Sequence, residues 1–416
     1  MFWHIALQHG CGENSQIHVI FDHYDKNSIK GQTREKRSGG NRAAVHHIII
    51  DGVIPRNWKL FLTRSENKEN LASFYAEYIA NHSGKDLKHG QKICLSGGLN
   101  FPTKKVTSHT VNVVDSLQSN QEEADTRIVL HAVAAANSGA ERIVVSCPDT
   151  DVLVLLIHHR QKAITAAEIF FQTGKEGKHT SLKRYIPVHC IREHLSQEQN
   201  NIMMSVYCLT GCDTVSSFYG HGKKSAFKLL LQQLDKFQDL ACLGIGPNVP
   251  AVGIIAATGF VGALYGTKDC KSLNALRCEK ARGKQPLCKL PPTEDSFLCH
   301  MKRVNGQLNI WHKATVAMSD IPDPTDAGFI LDGERVLVPQ MITQSPGPPE
   351  LLNELVCECQ PGFCNTDCIC LNNSQACTAA CLCSGQLPQD ESDDICFNLY
   401  TYNAHYTSDS DSESDG

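Results

Sequence analysis

Apolar and polar positions along the 416 residues fall into short β-branched runs separated by longer stripes of helical spacing. Residues 17–22 (IHVIFD) are an apolar run closed by an acid, which reads as a strand, and 47–51 (HIIID) repeats the pattern. Residues 65–82 carry Leu71, Phe74, Tyr75, Tyr78 and Ile79 at three- and four-residue spacing, which predicts a helix. Short strands and loops are expected over 83–118. Ser119 and Glu122 have the spacing of a capping box for a helix over 120–136, with Ala124, Ile128, His131, Ala132 and Ala135 on one stripe. Asn137, Ser138 and Gly139 end it. A strand over 142–147 follows, and 152–157 (VLVLLI) opens a buried helix or strand. Helix followed by strand is the alternation of an α/β sheet. Next come an apolar segment over 202–213, a glycine turn, and a helix within 216–234. The pattern turns less regular from 286, and Pro339, Pro346, Pro348 and Pro349 mark a linker.

Composition narrows the class. With 41% hydrophobic, 20% charged and 7% aromatic residues, the chain is globular rather than collagenous, coiled-coil or disordered throughout. No apolar run reaches 18 residues, so no membrane-spanning helix is expected, and the glycine-broken 251–266 reads as a buried helix or loop. The first fifteen residues lack the basic start and apolar centre of a signal peptide. The net charge of −5 is unevenly distributed: no Lys or Arg follows Arg335, and 350–416 holds 12 acids. The body is therefore mildly basic, compatible with a polyanion partner. The end, SDSDSESDG, has the composition of a solvated tail. His46, His47, His158 and His159 are adjacent pairs, which face different ways and read as core or surface residues rather than joint ligands.

The acids that matter stand where strands end or helices begin: Asp22, Glu123 with Asp125, Asp149 with Asp151, and Asp213. In open α/β sheets, ligands bind outside the carboxyl ends of the strands. Carboxylates gathered there from separate segments can hold two Mg²⁺ or Mn²⁺ ions, the arrangement that clamps both oxygens of a phosphodiester displacement. Asp149 also has the position of an N-cap for the segment after it.

Taken in order, these motifs resemble the flap-endonuclease branch of the PIN-like nuclease superfamily, over about residues 17–235. Its VFDG strand end corresponds to 19–22, its EAEA helix start to 123–126, its D-x-D strand end to 149–151, and its LLGSD…GIGPKRA segment to 209–213 followed by 220–226. The resemblance implies a PIN-like parallel sheet flanked by helices, with a helix-two-turn-helix. It makes Asp22, Glu123, Asp125, Asp149, Asp151 and Asp213 the Mg²⁺/Mn²⁺ ligands. Asp149, Asp151 and Asp213 would serve the ion beside the leaving group, and Glu123, Asp125 and Asp22 the ion on the water side. Gly220, Gly222, Lys223 and Lys224 would grip a duplex backbone. The basic stretch 26–42, with Arg34, Lys36 and Arg37, would correspond to the family's gateway over the scissile phosphate. Two departures stand out. The family uses a further upstream acid, and here 21 residues precede Asp22 with only Glu13 among them, so the chain is either cut short at its start or lacks that ligand. Asp125 stands where the family has Glu, shortening that arm by a methylene.

Twenty cysteines complete the picture. Eleven are scattered between Cys11 and Cys299, and nine are packed into 357–396. A dense block in a large chain reads as metal ligation in a reducing compartment rather than disulfides. The block runs Cys357-x-Cys359-x4-Cys364-x3-Cys368-x-Cys370-x6-Cys377-x3-Cys381-x-Cys383, then Cys396. Thiolates at this spacing select Zn²⁺, and a segment so poor in large apolar residues needs the metal to fold. The spacing resembles the tesmin-like CXC domain, in which nine cysteines hold three zinc ions. Here Asp367 replaces that family's DNA-reaching aromatic, Gln360, Pro361 and Gly362 replace its lysines, and an acidic insertion (390–394) lengthens the last interval. A module without positive side chains has no phosphate affinity to offer.

The expected organisation is a PIN-like domain over 1–285, a connecting region and linker over 286–350, a CXC-like zinc module over 351–398 and an acidic tail over 399–416. The expected function is a nuclear, Mg²⁺/Mn²⁺-dependent, structure-selective nuclease on branched or single-stranded DNA, with no membrane association. The alternative is an inactive PIN-like scaffold acting as a zinc-dependent nuclear interaction protein.

Overall fold

The computed structural model describes residues 15–24, 28–30, 44–49, 52–53, 55–98, 101–174, 183–281, 286–333 and 336–344, and in the cysteine block 357–360, 364, 367–372, 377 and 381. The chain divides into two compact units, Met1–Leu273 with Ser296–Met341, and Asn274–Asp295 with Ile342–Gly416.

The first unit is mixed α/β. Strands β1 (Gln16–Ile20), β2 (Lys92–Ser96), β3 (Lys104–Val106) and β4 (Val111–Val113) form one sheet in that order. Strands β5 (Arg142–Ser146), β6 (Glu168–Thr173) and β7 (Arg184–Pro187) form a second. The expected parallel sheet is present only in part: β1–β2 and β5–β6 pair in parallel, and the other pairs in both sheets are antiparallel. Connection length is the reason at β3–β4, where a tight 107–110 turn (Thr107 N donates to Thr110 O at 2.9 Å) can return the chain only antiparallel. A β8–β9 hairpin (Phe329–Leu331, Leu337–Pro339) lies later in the chain.

Helix α1 (Ser65–His82) forms as its spacing predicts, but it buries Ala72, Ala76, Ile79 and Ala80 rather than its aromatics, and Tyr75 is exposed. The alanines allow a close approach: a Cβ on Gly97, just past β2, would come within 2.8 Å of Ala76 Cβ. The expected strand at 47–51 is not formed over its described residues, 47–49. The preceding backbone bonds to α1 side chains instead of a ladder, with His46 N donating to Asn67 Oδ1 (2.8 Å) and Asn70 Nδ2 donating to His46 O (3.1 Å).

Helix α2 (Ala124–Asn137) leads to β5, and α3 (Thr150–His159) returns from it. Then come α4 (Val188–His194), α5 (Gln197–Leu209), α6 (Lys223–Gln232) and the apolar α7 (Ala251–Leu264). No helix among the described residues is long and apolar enough to cross a membrane. After α8 (Leu273–Ala281), the region whose sequence looks irregular contains the 19-residue α9 (Glu294–His312). It carries Trp311 at 1% exposure, and its Asn305 bonds Gly244 N (2.8 Å) and Gly246 O (2.9 Å). The histidine pairs divide between surface and core: His46 and His47 are exposed, whereas His159 is buried and its Nε2 bonds Trp311 O at 2.9 Å.

Candidate functional site

The six acids singled out in the sequence are brought to one place by the ends of β1 and β5, the starts of α2 and α3 and the turn after α5. Asp22 follows β1 and reaches the start of α2, where Ala124 N donates to its Oδ1 at 2.8 Å. This displaces the expected capping box. Glu123, not Ser119, occupies the N-cap position and makes no side-chain cap, while Glu122 accepts from Ser28 Oγ. The first N–H groups of a helix need partners, and a carboxylate there also meets the positive end of the helix dipole. Asp149 is the N-cap of α3, accepting from Asp151 N at 2.9 Å. Asp151 accepts from Tyr207 O–H at 2.7 Å, and Tyr207 in turn contacts Thr150 Oγ1 at 2.8 Å. Asp213 is in the turn after α5, closed by Cys212 and Val215 (Cys212 N to Val215 O, 3.0 Å). Gly211 is required there: its φ is +107°, and a Cβ would meet Ser217 at 2.8 Å.

Lys30 stands among these acids. Its Nζ lies 3.2 Å from Glu123 Oε1, 3.5 Å from Asp213 Oδ2 and 3.9 Å from Asp125 Oδ2, with little solvent exposure. Burial works against its charge, yet Glu123, Asp125, Asp213 and Asp22 together raise its pKa above the ordinary lysine value. One ammonium does not balance the set. Burial pushes Asp125 up to about 8, against Lys30 and with help from Glu123, Asp149 and Asp22. Burial and Asp149 push Asp151 up to about 6. Glu123 is raised too, by burial, with Lys30 opposing. Among the described residues, the groups whose ligand atoms close to within 4.8 Å of one another consist of cysteine and histidine, not these acids. The acids face one another around Lys30 rather than as a tight shell. A cavity of about 230 Å³ opens beside Glu123, bordered by His23, Thr214, Arg303 and Gln307.

The glycine-lysine turn is placed differently from its expected role. Gly220 has φ +79° and Gly222 is the N-cap of α6. Lys223 turns inward: its Nζ donates to Tyr207 O and Gly211 O and lies 3.7 Å from the centre of the Tyr207 ring. It satisfies carbonyls at the C-terminus of α5, where a cation is favoured. Lys224 is exposed. Arg34, Lys36 and Arg37 lie outside the described residues. Sequence reasoning did not single out Lys30 within its basic stretch, nor Tyr207, whose apolar helical setting gave no sign that its hydroxyl holds Asp151.

In the second unit, the cysteine block gathers two four-thiol groups, Cys357 with Cys370, Cys377 and Cys381, and Cys357 with Cys359, Cys364 and Cys368. Sulfur separations of 3.3 Å (Cys364–Cys377) to 3.7 Å (Cys357–Cys377) are too long for disulfides and suit thiolates around shared metal ions. Cys357 belongs to both groups, the position of a bridging ligand. The block can hold metal ions of the zinc type. Cys383 and Cys396 lie outside the described residues.

Compared with models of protein families, with curated proteins and with solved structures, the chain matches none.

Proposed function

We propose that the chain is a divalent-metal-dependent, structure-selective nuclease of the PIN-like, flap-endonuclease-like kind that hydrolyses phosphodiester bonds in DNA in the nucleus, with a zinc-folded, CXC-like cysteine module. One observation carries this reading. Carboxylates from segments far apart in sequence face one another at the ends of β1 and β5 and the starts of α2 and α3, with more negative charge than Lys30 can offset. Clustered buried carboxylates are costly without a cation, and an all-oxygen donor set fits hard ions such as Mg²⁺ or Mn²⁺.

Asp149, Asp151 and Asp213 would hold one ion, and Glu123, Asp125 and Asp22 the other. Ions bound there would supply Lewis-acid activation of the attacking water and stabilisation of the leaving oxyanion. The chain's own groups set the stage. Tyr207 O–H fixes the Asp151 carboxylate, and Asp22 fixes the start of α2 and with it Glu123 and Asp125. Lys30 keeps Glu123, Asp125 and Asp213 together before a cation arrives and is then placed to meet a phosphate of the entering strand. Exposed Lys224 adds sequence-independent phosphate affinity that falls with salt.

The test is cleavage of 5′-flap, splayed-arm and single-stranded DNA by the zinc-loaded protein in Mg²⁺, in Mn²⁺ and in EDTA. Cutting in either metal and none in EDTA is expected. A folded, zinc-loaded protein that cuts none of the three removes the nuclease reading. The specific contact that favours the second reading, an inactive scaffold with a zinc-dependent interaction module, is Lys30 itself, because an internal ammonium partly replaces a metal. Under that reading, Mg²⁺ and Mn²⁺ leave the melting temperature unchanged.

A further inference from the structure

A second polar cluster lies away from the acids. His18 on β1 and Cys94 on β2 are register partners in the parallel pair, so their side chains stand next to each other on one face. Helix α2 covers that face and adds His131, one turn after Arg127. One ligand atom from each of His18, Cys94 and His131 lies within 4.8 Å of the others. Cys94 is fully buried and His131 is 2% exposed.

Packing and hydrogen bonding do not account for this cluster. The two Nδ1 atoms are 2.7 Å apart, so two neutral imidazoles share one proton between them. That leaves one Nε2 as a donor and the other as an acceptor, and both Nε2 atoms are buried with no partner. Buried polar groups without a partner are costly to a fold. Burial also keeps the rings neutral, with His18 down to about 4 and His131 down to about 3, which leaves lone pairs available.

We propose that His18, Cys94 and His131 form a zinc site, with two imidazole nitrogens and one thiolate as protein ligands and a fourth position for water. The cation takes the place of the shared proton, which moves to the Nε2 of its own ring, so that both imidazoles bind as neutral ligands through Nδ1. The Nδ1 atoms need to separate only from 2.7 Å to about 3.3 Å to suit Zn–N bonds near 2.0–2.1 Å in tetrahedral geometry. Imidazole and thiolate together favour Zn²⁺ over Mg²⁺ or Ca²⁺. Binding displaces the Cys94 thiol proton to solvent, so one Zn²⁺ and one thiolate leave a net charge of +1. Lys105, the β3 partner of Cys94, and Arg127 face the cluster as cations, so affinity rests on coordination rather than on the surrounding field. The site ties α2 to β1 and β2, and α2 is the helix whose start carries Glu123 and Asp125. It is independent of the nuclease reading.

The test is cadmium-113 NMR of the full cadmium-substituted chain, with zinc content measured in parallel on the zinc form. A resonance from a mixed nitrogen and sulfur set is expected, resolved from the thiolate-only resonances of the cysteine block. Cys94→Ser with His131→Gln is expected to remove that resonance and one zinc per chain while leaving the block's resonances in place. A wild-type spectrum containing only thiolate-only resonances overturns the proposal whether or not the variant folds, and so does an unchanged zinc count in a folded variant.

Discussion

Ala124 donates its backbone N–H to Asp22 Oδ1 at 2.8 Å, joining the end of β1 to the start of α2 across 102 residues of chain. The bond makes Asp22 both a member of the acid cluster and the cap of the helix that delivers Glu123 and Asp125. The two roles separate by substitution. Asp22→Ala removes the cap and is expected to lower stability by about 1 kcal/mol in urea unfolding. Asp22→Asn keeps the acceptor oxygen and is expected to stay close to wild type in stability while losing cleavage. Equal stability losses in both variants would show that the carboxylate charge, not the cap, holds the helix.

Without divalent ions, stability is expected to fall as pH rises. Asp151 moves from an ordinary 3.8 to about 6 in the folded protein, and Asp125 from 3.8 to about 8. An acid with a higher pKa folded than unfolded binds its proton more tightly when folded. Its stabilising effect is full below the unfolded value and is lost as pH climbs to the folded value. The loss attached to Asp151 therefore ends near pH 6, and that attached to Asp125 continues to about 8. Thermal melting of metal-free protein between pH 5 and 8.5 measures it, and millimolar Mg²⁺ is expected to flatten the curve at the upper end. A melting temperature that rises over this range would show that the acids are already compensated.

Lys30→Met removes the ammonium from Glu123, Asp125 and Asp213 and leaves their charges to repel. In metal-free protein at pH 8 the expected loss is on the order of 1–3 kcal/mol, below the ~3–5 kcal/mol for a fully buried pair because Asp213 is partly exposed. Mg²⁺ or Mn²⁺ is expected to recover more stability in this variant than in wild type. An equal gain in both would mean that Lys30 and the cation do not share a site.

In the cysteine block, Cys357 belongs to both four-thiol groups, whereas Cys381 belongs to one. Cys357→Ser is therefore expected to cost about two zinc ions per chain and Cys381→Ser about one, with metal content read after gel filtration. Chelation is expected to expose the block's thiols to a thiol reagent. Identical zinc losses in the two variants would rule out a bridging thiolate at Cys357.

Local patterning carried the elements but not their partners. Helices α1 and α2, the 142–146 strand and the Asp149 cap are short-range features visible in local sequence, but the buried faces differ from the expected stripes: α1 buries its alanines rather than its aromatics, and α2 buries Arg127, Val129 and Leu130. The Ser119–Glu122 box has the right spacing and does not form, because Asp22 arrives from elsewhere in the chain and takes the start of α2. Arg127 looks like a surface residue on a helix, yet it is 1% exposed, with Nη1 on Ser96 Oγ (2.8 Å) and His23 Nε2 (2.8 Å). The candidate acids could be chosen from their places at strand ends and helix starts. Lys30 could not, because one lysine in a basic stretch differs from the others only by where the fold sends it. His18, Cys94 and His131 become neighbours only through strand register and helix packing, which no spacing along the chain encodes.

The most direct measurement is cleavage of a labelled 5′-flap DNA in Mn²⁺ by zinc-loaded wild type and by the Asp149→Asn/Asp151→Asn variant under the same conditions. Asn keeps the shape of both side chains and can still cap α3, so fold and zinc content are expected to be retained while cutting falls below detection. Equal cutting by the two proteins would contradict the assignment of the acid cluster as the site of phosphodiester hydrolysis.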